Sequence, residues 1–235
     1  LCGMSLKGKK IGIPKEFFGD GITDEVKSAV MAAAQFYKDA GCELCEVSLP
    51  SLKYAVSAYY LISSAEAASN LSRFDGIKYG YRSSHDTDDF NELIKATRSE
   101  GFGDEVKRRI LLGNYALCSG YYDAYYNNAS RIRRQIVEEY NAIFAGCDVI
   151  LTPTAPTTAY KIGEQENDPV KMYLADICTV TVNIAGLPAI STPCGYGADG
   201  MPIGMSLVGK SFDEAQIIAM CDAYERSFDR KKALL

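Results

Sequence analysis

The feature that most constrains this chain lies in its first fifty residues. Lys10-Ile11-Gly12-Ile13-Pro14 reads as a short strand closed by a proline. Thr23-Asp24-Glu25 then opens a helix, with a capping residue followed by acids where the helix dipole favours them. Val26, Val30, Ala33 and Tyr37 recur at helical spacing, and Gly41 supplies the stop. Beyond it Cys45, Val47 and Leu49 alternate with Glu46 and Ser48, a strand pattern that ends at Pro50. Strand, helix and strand within about forty residues form a βαβ unit, whose two strands must run parallel. The fold class is therefore α/β.

The next stretch changes character. From about 51 to 145 the pattern is helical, with one segment through Ala65-Glu66-Ala67-Ala68 and a long one from Asp104 to Ala145. Gly113 and Gly120 are expected to kink or break the long segment. His85 to Asp89 (HDTDD) reads as an exposed acidic loop. Asp148 to Pro153 then predicts a buried strand, and the Pro- and Thr-rich tract after it is too polar for regular structure. A further helix is expected from about Pro169, strands at Ala189–Thr192 and Ile203–Val208, and a final helix from Asp213 to about Phe228.

Composition narrows the classes. Of 235 residues, 47% are hydrophobic and 23% charged, which suits a globular domain and excludes whole-chain disorder, collagen and coiled coil. No run reaches the ~18–20 apolar residues of a membrane span. The N-terminus has no basic region followed by an apolar core, so a cytoplasmic protein without a secretory signal is expected. The net charge of −5, with basic clusters that are all short, argues against direct nucleic-acid binding. The eight cysteines lack the spacing of a disulfide framework and read as reduced, mostly buried thiols. Leu1 in place of Met suggests a piece of something longer.

Several loud motifs fail on context. Gly204 to Ser211 satisfies the P-loop pattern, yet its middle residues MSLV read as a strand rather than a phosphate loop. Only 24 residues follow it, too few for the acidic strand that would hold magnesium. Gly195 to Gly200 fits GxGxxG but joins strand to strand, and Asp199-Gly200 is a hairpin signal. Cys42-Glu43-Leu44-Cys45 follows a helix and enters a strand, the wrong context for a redox pair. On a straight strand residues three apart face opposite sides, so the two thiols cannot share a metal. The single histidine, His85, leaves no basis for a Ser-His-Asp, Cys-His or His-rich metal site. Sixteen tyrosines and no tryptophan remain, with Tyr121/Tyr125 and Tyr122/Tyr126 paired at i,i+4. Core packing and a polar-aromatic pocket wall are both open for them.

The run AGLPAISTPCGYGADGMPIGMSLVGKSFDEAQIIAMCDAYE (185–225) resembles the C-terminal signature of the amidase signature family. SNLSRFDGIKYGYRS, EVKRRILLGNYALCSGYYDAYY and LTPTAPTTAYKIGE resemble, more narrowly, the glutaminase subunits of the glutamyl-tRNA(Gln) amidotransferases within that family. The resemblance runs from about Lys7 to Ser227. It implies a three-layer α/β/α fold with a mixed, largely parallel sheet, the chain 1–235 being the C-terminal portion of a single amidase domain. It also implies an enzyme that releases ammonia from glutamine so that partner subunits can convert Glu-tRNA(Gln) to Gln-tRNA(Gln). The B and C subunits would be its partners, ATP and magnesium would belong to a partner, and tRNA would be met only indirectly.

A free amino acid needs a guanidinium for its carboxylate and a carboxylate for its ammonium. The positions matching the family's glutamine-binding residues are Arg109 for the α-carboxylate, Asp176 for the α-ammonium and Tyr60 for orientation. The family's serine nucleophile, its second serine across a cis peptide and its lysine base lie on segments that have no match here. No catalytic residue, cofactor or metal ligand is therefore assigned, and the isolated chain is expected to be inactive. A fragment of another amide hydrolase, or a non-catalytic binding or docking module, stays open as an alternative.

Overall fold

The computed structural model describes residue 3, residues 5–163 and residues 175–228. The backbone contacts divide the chain into two compact units, 1–56 with 133–235, and 57–132. The predicted helical region, about 51–145, contains the second of these.

The sheet unit is built from the expected βαβ. Strand β1 (Lys10–Pro14) runs parallel to β2 (Glu43–Val47), with α1 (Asp24–Asp39) between them. Gly41 takes φ +96°, the left-handed conformation that ends a helix at low cost to glycine alone. Thr23 stands at the N-cap position, but its hydroxyl does not cap. It donates instead to the Pro156 carbonyl, 3.3 Å away. Strand β3 (Val149–Pro153) lies parallel to β1 and is buried along its whole length, as its apolar run requires. Strands β4 (Ala189–Tyr196) and β5 (Pro202–Val208) form an antiparallel hairpin, and β5 also pairs antiparallel with β3. The order is β2-β1-β3-β5-β4, a mixed sheet with two parallel and two antiparallel pairings among the described residues.

Helices cover both faces of that sheet. A Cβ added to Gly12 of β1 would meet Cys147, Val47 and Ile143, so that side of β1 faces the helix that ends at Gly146. Ile13, pointing the other way, shares a groove with Lys27 and Met31 of α1. Beside α1 lies the C-terminal helix Glu214–Glu225: the Tyr37 hydroxyl donates to the Met220 carbonyl at 3.1 Å, and Tyr37 stacks on Tyr224. This is the expected α/β/α layering.

The P-loop pattern is confirmed as strand. Gly204 to Val208 belong to β5, with Met205, Leu207 and Val208 fully buried, so no loop exists there to wrap phosphates. The GxGxxG run is the end of β4 and the β4–β5 turn. Gly200 has φ +79°, and the Asp199 carboxylate accepts the Met201 N–H at 2.9 Å.

The helical stretch departs from expectation in detail. Helix α2 (Leu52–Leu71) contains the Ala65 segment. Helix α3 (Phe90–Gly101) is an additional element, which the helical pattern does not set apart. Asp89, the last residue of the acidic loop, is its N-cap and accepts the Asn91 N–H at 2.8 Å. The long segment from Asp104 is not one helix. Helix α4 (Asp104–Leu117) stops before Gly120, and one π-helical turn (Asp123–Asn127) leads into α5 (Asn128–Gly146). Gly120 therefore does mark a break. Gly113 does not: it sits buried inside α4, against the backbone of α2. The helix expected from Pro169 starts outside the described residues. From Ala175 the described chain forms a 3-10 turn (Ala175–Cys178) and a short helix α6 (Val180–Ala185), and Glu214–Glu225 forms α7.

Candidate functional site

The candidate residues Tyr60 and Arg109 meet inside the helical unit, and a glycine makes the meeting possible. A Cβ on Gly113 would lie 2.0 Å from the Ser64 carbonyl oxygen and 2.7 Å from the Ala68 Cβ. Only hydrogen fits, so α2 and α4 cross in backbone contact. Tyr60 precedes Ser64 by one helical turn, and Arg109 precedes Gly113 by one turn. The crossing thus sets the Arg109 guanidinium over the buried Tyr60 ring, 5.2 Å from its centroid. A cation over a phenol face is electrostatically favoured, and Tyr59 packs edge-on against Tyr60 at 5.1 Å.

Arg109 is held on a second side by its own helix. Its Nε donates to Glu105 Oε1 at 3.0 Å, an i,i+4 pair, while Arg108 pairs with the other Glu105 oxygen. Partial burial works against the guanidinium's charge. The hydrogen bond and charge of Glu105, with the Tyr60 and Tyr59 phenols, outweigh it and hold the group above its ordinary pKa. The result is a permanent, oriented, half-shielded cation. Chemically it is suited to a carboxylate.

Asp176 belongs to the sheet unit. It lies in the first turn of the 3-10 segment Ala175–Cys178, and its carbonyl accepts the Thr179 N–H at 2.9 Å and the Thr179 hydroxyl at 3.1 Å. Glu105, which holds the candidate Arg109, is not among the residues the sequence singled out. The i,i+4 spacing of Glu105 and Arg109 in DEVKRR was its available signal.

The tyrosine cluster around the π-helical turn does not follow the core-packing expectation. Tyr115, Tyr121, Tyr122 and Tyr125 are all exposed, not core. Tyr115 stacks on Tyr121 at 4.4 Å, and the phenols of Tyr121 and Tyr125 hydrogen-bond to it and push its pKa up. Most described cysteines are buried free thiols, as expected; Cys118 is exposed and Cys45 half-buried. Cys45 lies against Cys147 rather than Cys42, whose thiol donates to the Leu6 carbonyl. Among the described residues no group of three or more His, Cys, Asp or Glu side chains could hold a metal ion, and no helix is long and apolar enough to cross a membrane.

The layered mixed sheet and its signature hairpin define the class. A family model described as Amidase matches residues 3–218, and the chain belongs to the amidase family. Within it, the chain is 56% identical over 222 residues to the A subunit of the glutamyl-tRNA(Gln) amidotransferase of Brevibacillus brevis, covering 94% of this chain and 45% of that protein. Against the Bacillus cytotoxicus counterpart it is 53% identical over 239 residues, covering 100% of this chain and 49% of that one. The crystal structure of the Thermotoga maritima counterpart matches with a TM-score of 0.73 and 34% identity, over 97% of this chain and 44% of that chain. The chain spans about half the length of the curated relatives it matches.

Proposed function

We propose that this chain is part of the glutaminase subunit of a tRNA-dependent amidotransferase and carries its grip on the free amino acid. Arg109 forks onto the α-carboxylate of glutamine, Asp176 takes the α-ammonium, and the Tyr60 hydroxyl helps to orient the substrate. The observation that carries this reading is the guanidinium fixed over Tyr60 at the α2–α4 crossing, charged and partly shielded from water. Its supporting context is the similarity to the amidotransferase A subunits of Brevibacillus and Thermotoga.

The nucleophile and base belong to sequence outside this chain, in the full-length protein. There the amide is cleaved through an acyl-enzyme, with backbone amides stabilising the oxyanion. The ammonia serves amidation of Glu-tRNA(Gln) in a cytoplasmic complex with B and C subunits, where a partner binds ATP and magnesium. The 235-residue chain alone turns over no glutamine.

The test is steady-state glutaminase kinetics on the full-length protein with Arg109→Lys. Lysine keeps the charge but loses the planar fork, so KM for glutamine should rise by about 10- to 100-fold, with a smaller change in kcat. An unchanged KM would sink the assignment. So would glutamine turnover by the isolated chain that survives this substitution.

A further inference from the structure

We infer that Glu105 is a positioning residue for substrate binding, fixing the direction in which the Arg109 guanidinium presents its donors. The inference rests on the proposed binding of glutamine by Arg109.

Three contacts confine the Arg109 head. The Tyr60 ring lies beneath the guanidinium, 5.2 Å from centroid to Cζ. Glu105 Oε1 holds the Nε edge at 3.0 Å, and the Tyr59 hydroxyl is hydrogen-bonded to the guanidinium. A guanidinium has five N–H donors in one plane. With Nε committed to Glu105 and the Tyr59 phenol taking a further N–H, the remaining N–H groups of the terminal nitrogens are the ones left to meet a ligand carboxylate. An arginine on a free stem would lose its rotational freedom when substrate arrives, and that loss would weaken binding. Here most of it is lost before the substrate comes.

Glu105 is itself well fixed. It lies in the first turn of α4, where the helix dipole favours an anion, and its second oxygen is occupied by Arg108. The carboxylate is thus shared between two guanidiniums, so Arg109 stays less than fully neutralised and keeps attraction for a second anion. A plain surface pair at this spacing would behave differently. Its removal would alter helix stability slightly and substrate affinity not at all.

The experiment is glutaminase kinetics on the full-length protein with Glu105→Ala, Glu105→Gln and Arg109→Lys, each checked for wild-type-like thermal unfolding. Glutamine is the substrate. 4-Aminobutanamide, which is glutamine without its α-carboxylate, is titrated as a competitive inhibitor. Glu105→Ala should raise KM for glutamine about tenfold, with kcat within about twofold and the inhibition constant of 4-aminobutanamide unchanged. Glu105→Gln keeps an acceptor for Nε and should show a smaller rise, about threefold. If Glu105→Ala leaves KM unchanged or lowers it, Glu105 is a spectator or a competitor for the fork, and the inference fails. An equal loss for glutamine and for 4-aminobutanamide overturns it too, because the effect would not run through the carboxylate. Should Arg109→Lys also leave KM unchanged, the binding reading falls as well. Should Arg109→Lys raise KM while Glu105→Ala does not, only the role of Glu105 is lost. If Glu105→Ala unfolds, the Glu105→Gln comparison decides on the same criteria.

Discussion

The two compact units bury their side chains on different scales. The large side chains that lose essentially all contact with water, among them Tyr37, Tyr140, Phe17, Ile150, Leu151 and Met205, belong to the sheet unit. In the helical unit the deeply buried positions are mostly small, such as Ala65, Ala68, Gly113 and Ala116, while Leu111, Tyr115, Tyr121 and Tyr122 face solvent. One unit is held by apolar area removed from water. The other depends on helices in backbone contact and on short polar ties, such as Arg98 donating to the Leu71 and Phe74 carbonyls at 2.8 and 3.0 Å. Close approach without bulk is what brings Arg109 over Tyr60, and it makes that unit sensitive to single atoms.

The largest effect should come from the sheet core. Leu151 is fully buried on the central strand, so Leu151→Ala should destabilise the chain by roughly 2–5 kcal/mol. Leu111, at 71% exposure, should change stability by less than about 0.5 kcal/mol when made Ala. Denaturant unfolding checks both. Similar costs at the two sites would break the contrast between the units.

Glycine substitutions sharpen it. In Gly113→Ala the new methyl would lie 2.0 Å from the Ser64 carbonyl oxygen, which is backbone and cannot swing aside. The helices must part, at about 3 kcal/mol or more, and Arg109 should lose its seat over Tyr60. In Gly12→Ala the methyl meets side-chain atoms at 3.2–3.4 Å, which can yield by tenths of an ångström, so the cost should stay near about 1 kcal/mol. Amide hydrogen exchange across 57–132 should rise in the first variant and not in the second.

The two units also differ in how much of them the sequence declares. The βαβ, the apolar run of β3 and the Asp199-Gly200 turn are all readable, because strand alternation, helical spacing and glycine stops are local signals. The four-residue middle of the P-loop pattern is recognisable as strand for the same reason. The helical unit hides its logic. Gly113 looks like a helix breaker in one dimension and is a contact point in three, since its partner Ser64 is 49 positions away in sequence. Asp89 looks like one more loop acid because a cap is defined by the helix behind it. The tyrosines satisfy helical spacing without revealing which face is wet. Of the candidate site, Arg109, Asp176 and Tyr60 come from resemblance, and Glu105 is signalled only by its i,i+4 spacing to Arg109, a pattern that many plain surface pairs share.

Alkaline pH probes the sheet unit through Tyr140. Burial pushes this phenol up to about 12, although its hydrogen bond with the Thr181 hydroxyl pulls the other way. The folded value lies above the unfolded one, so the protonated form is the one the fold favours. Its contribution is therefore whole below about pH 10 and is lost as pH rises from there toward 12. Over that window the group should steepen the fall in stability by up to about 1.4 kcal/mol per pH unit. Tyr140→Phe should remove that steepness while lowering stability at pH 7 only by the lost hydrogen bond. An unaltered slope above pH 10 would show that Tyr140 ionises as freely in the fold as outside it.

Helix caps give the smallest contrast, and they run against residue type. Threonine and aspartate are both good caps, so each substitution to alanine would ordinarily cost a similar amount. Here Asp89 accepts the Asn91 N–H at 2.8 Å and satisfies one of the free amides of α3. Thr23 instead spends its hydroxyl on the Pro156 carbonyl at 3.3 Å, a long bond, and leaves the first amides of α1 without that partner. Asp89→Ala should therefore cost about 1 kcal/mol, felt in α3, and Thr23→Ala only a few tenths. The backbone bond from Thr23 N–H to Pro156 survives the substitution at 2.9 Å and keeps the start of α1 tied to the polar tract after β3. If Thr23→Ala costs as much as Asp89→Ala, then the hydroxyl of Thr23 caps α1 in solution, and the difference between the two helix starts disappears.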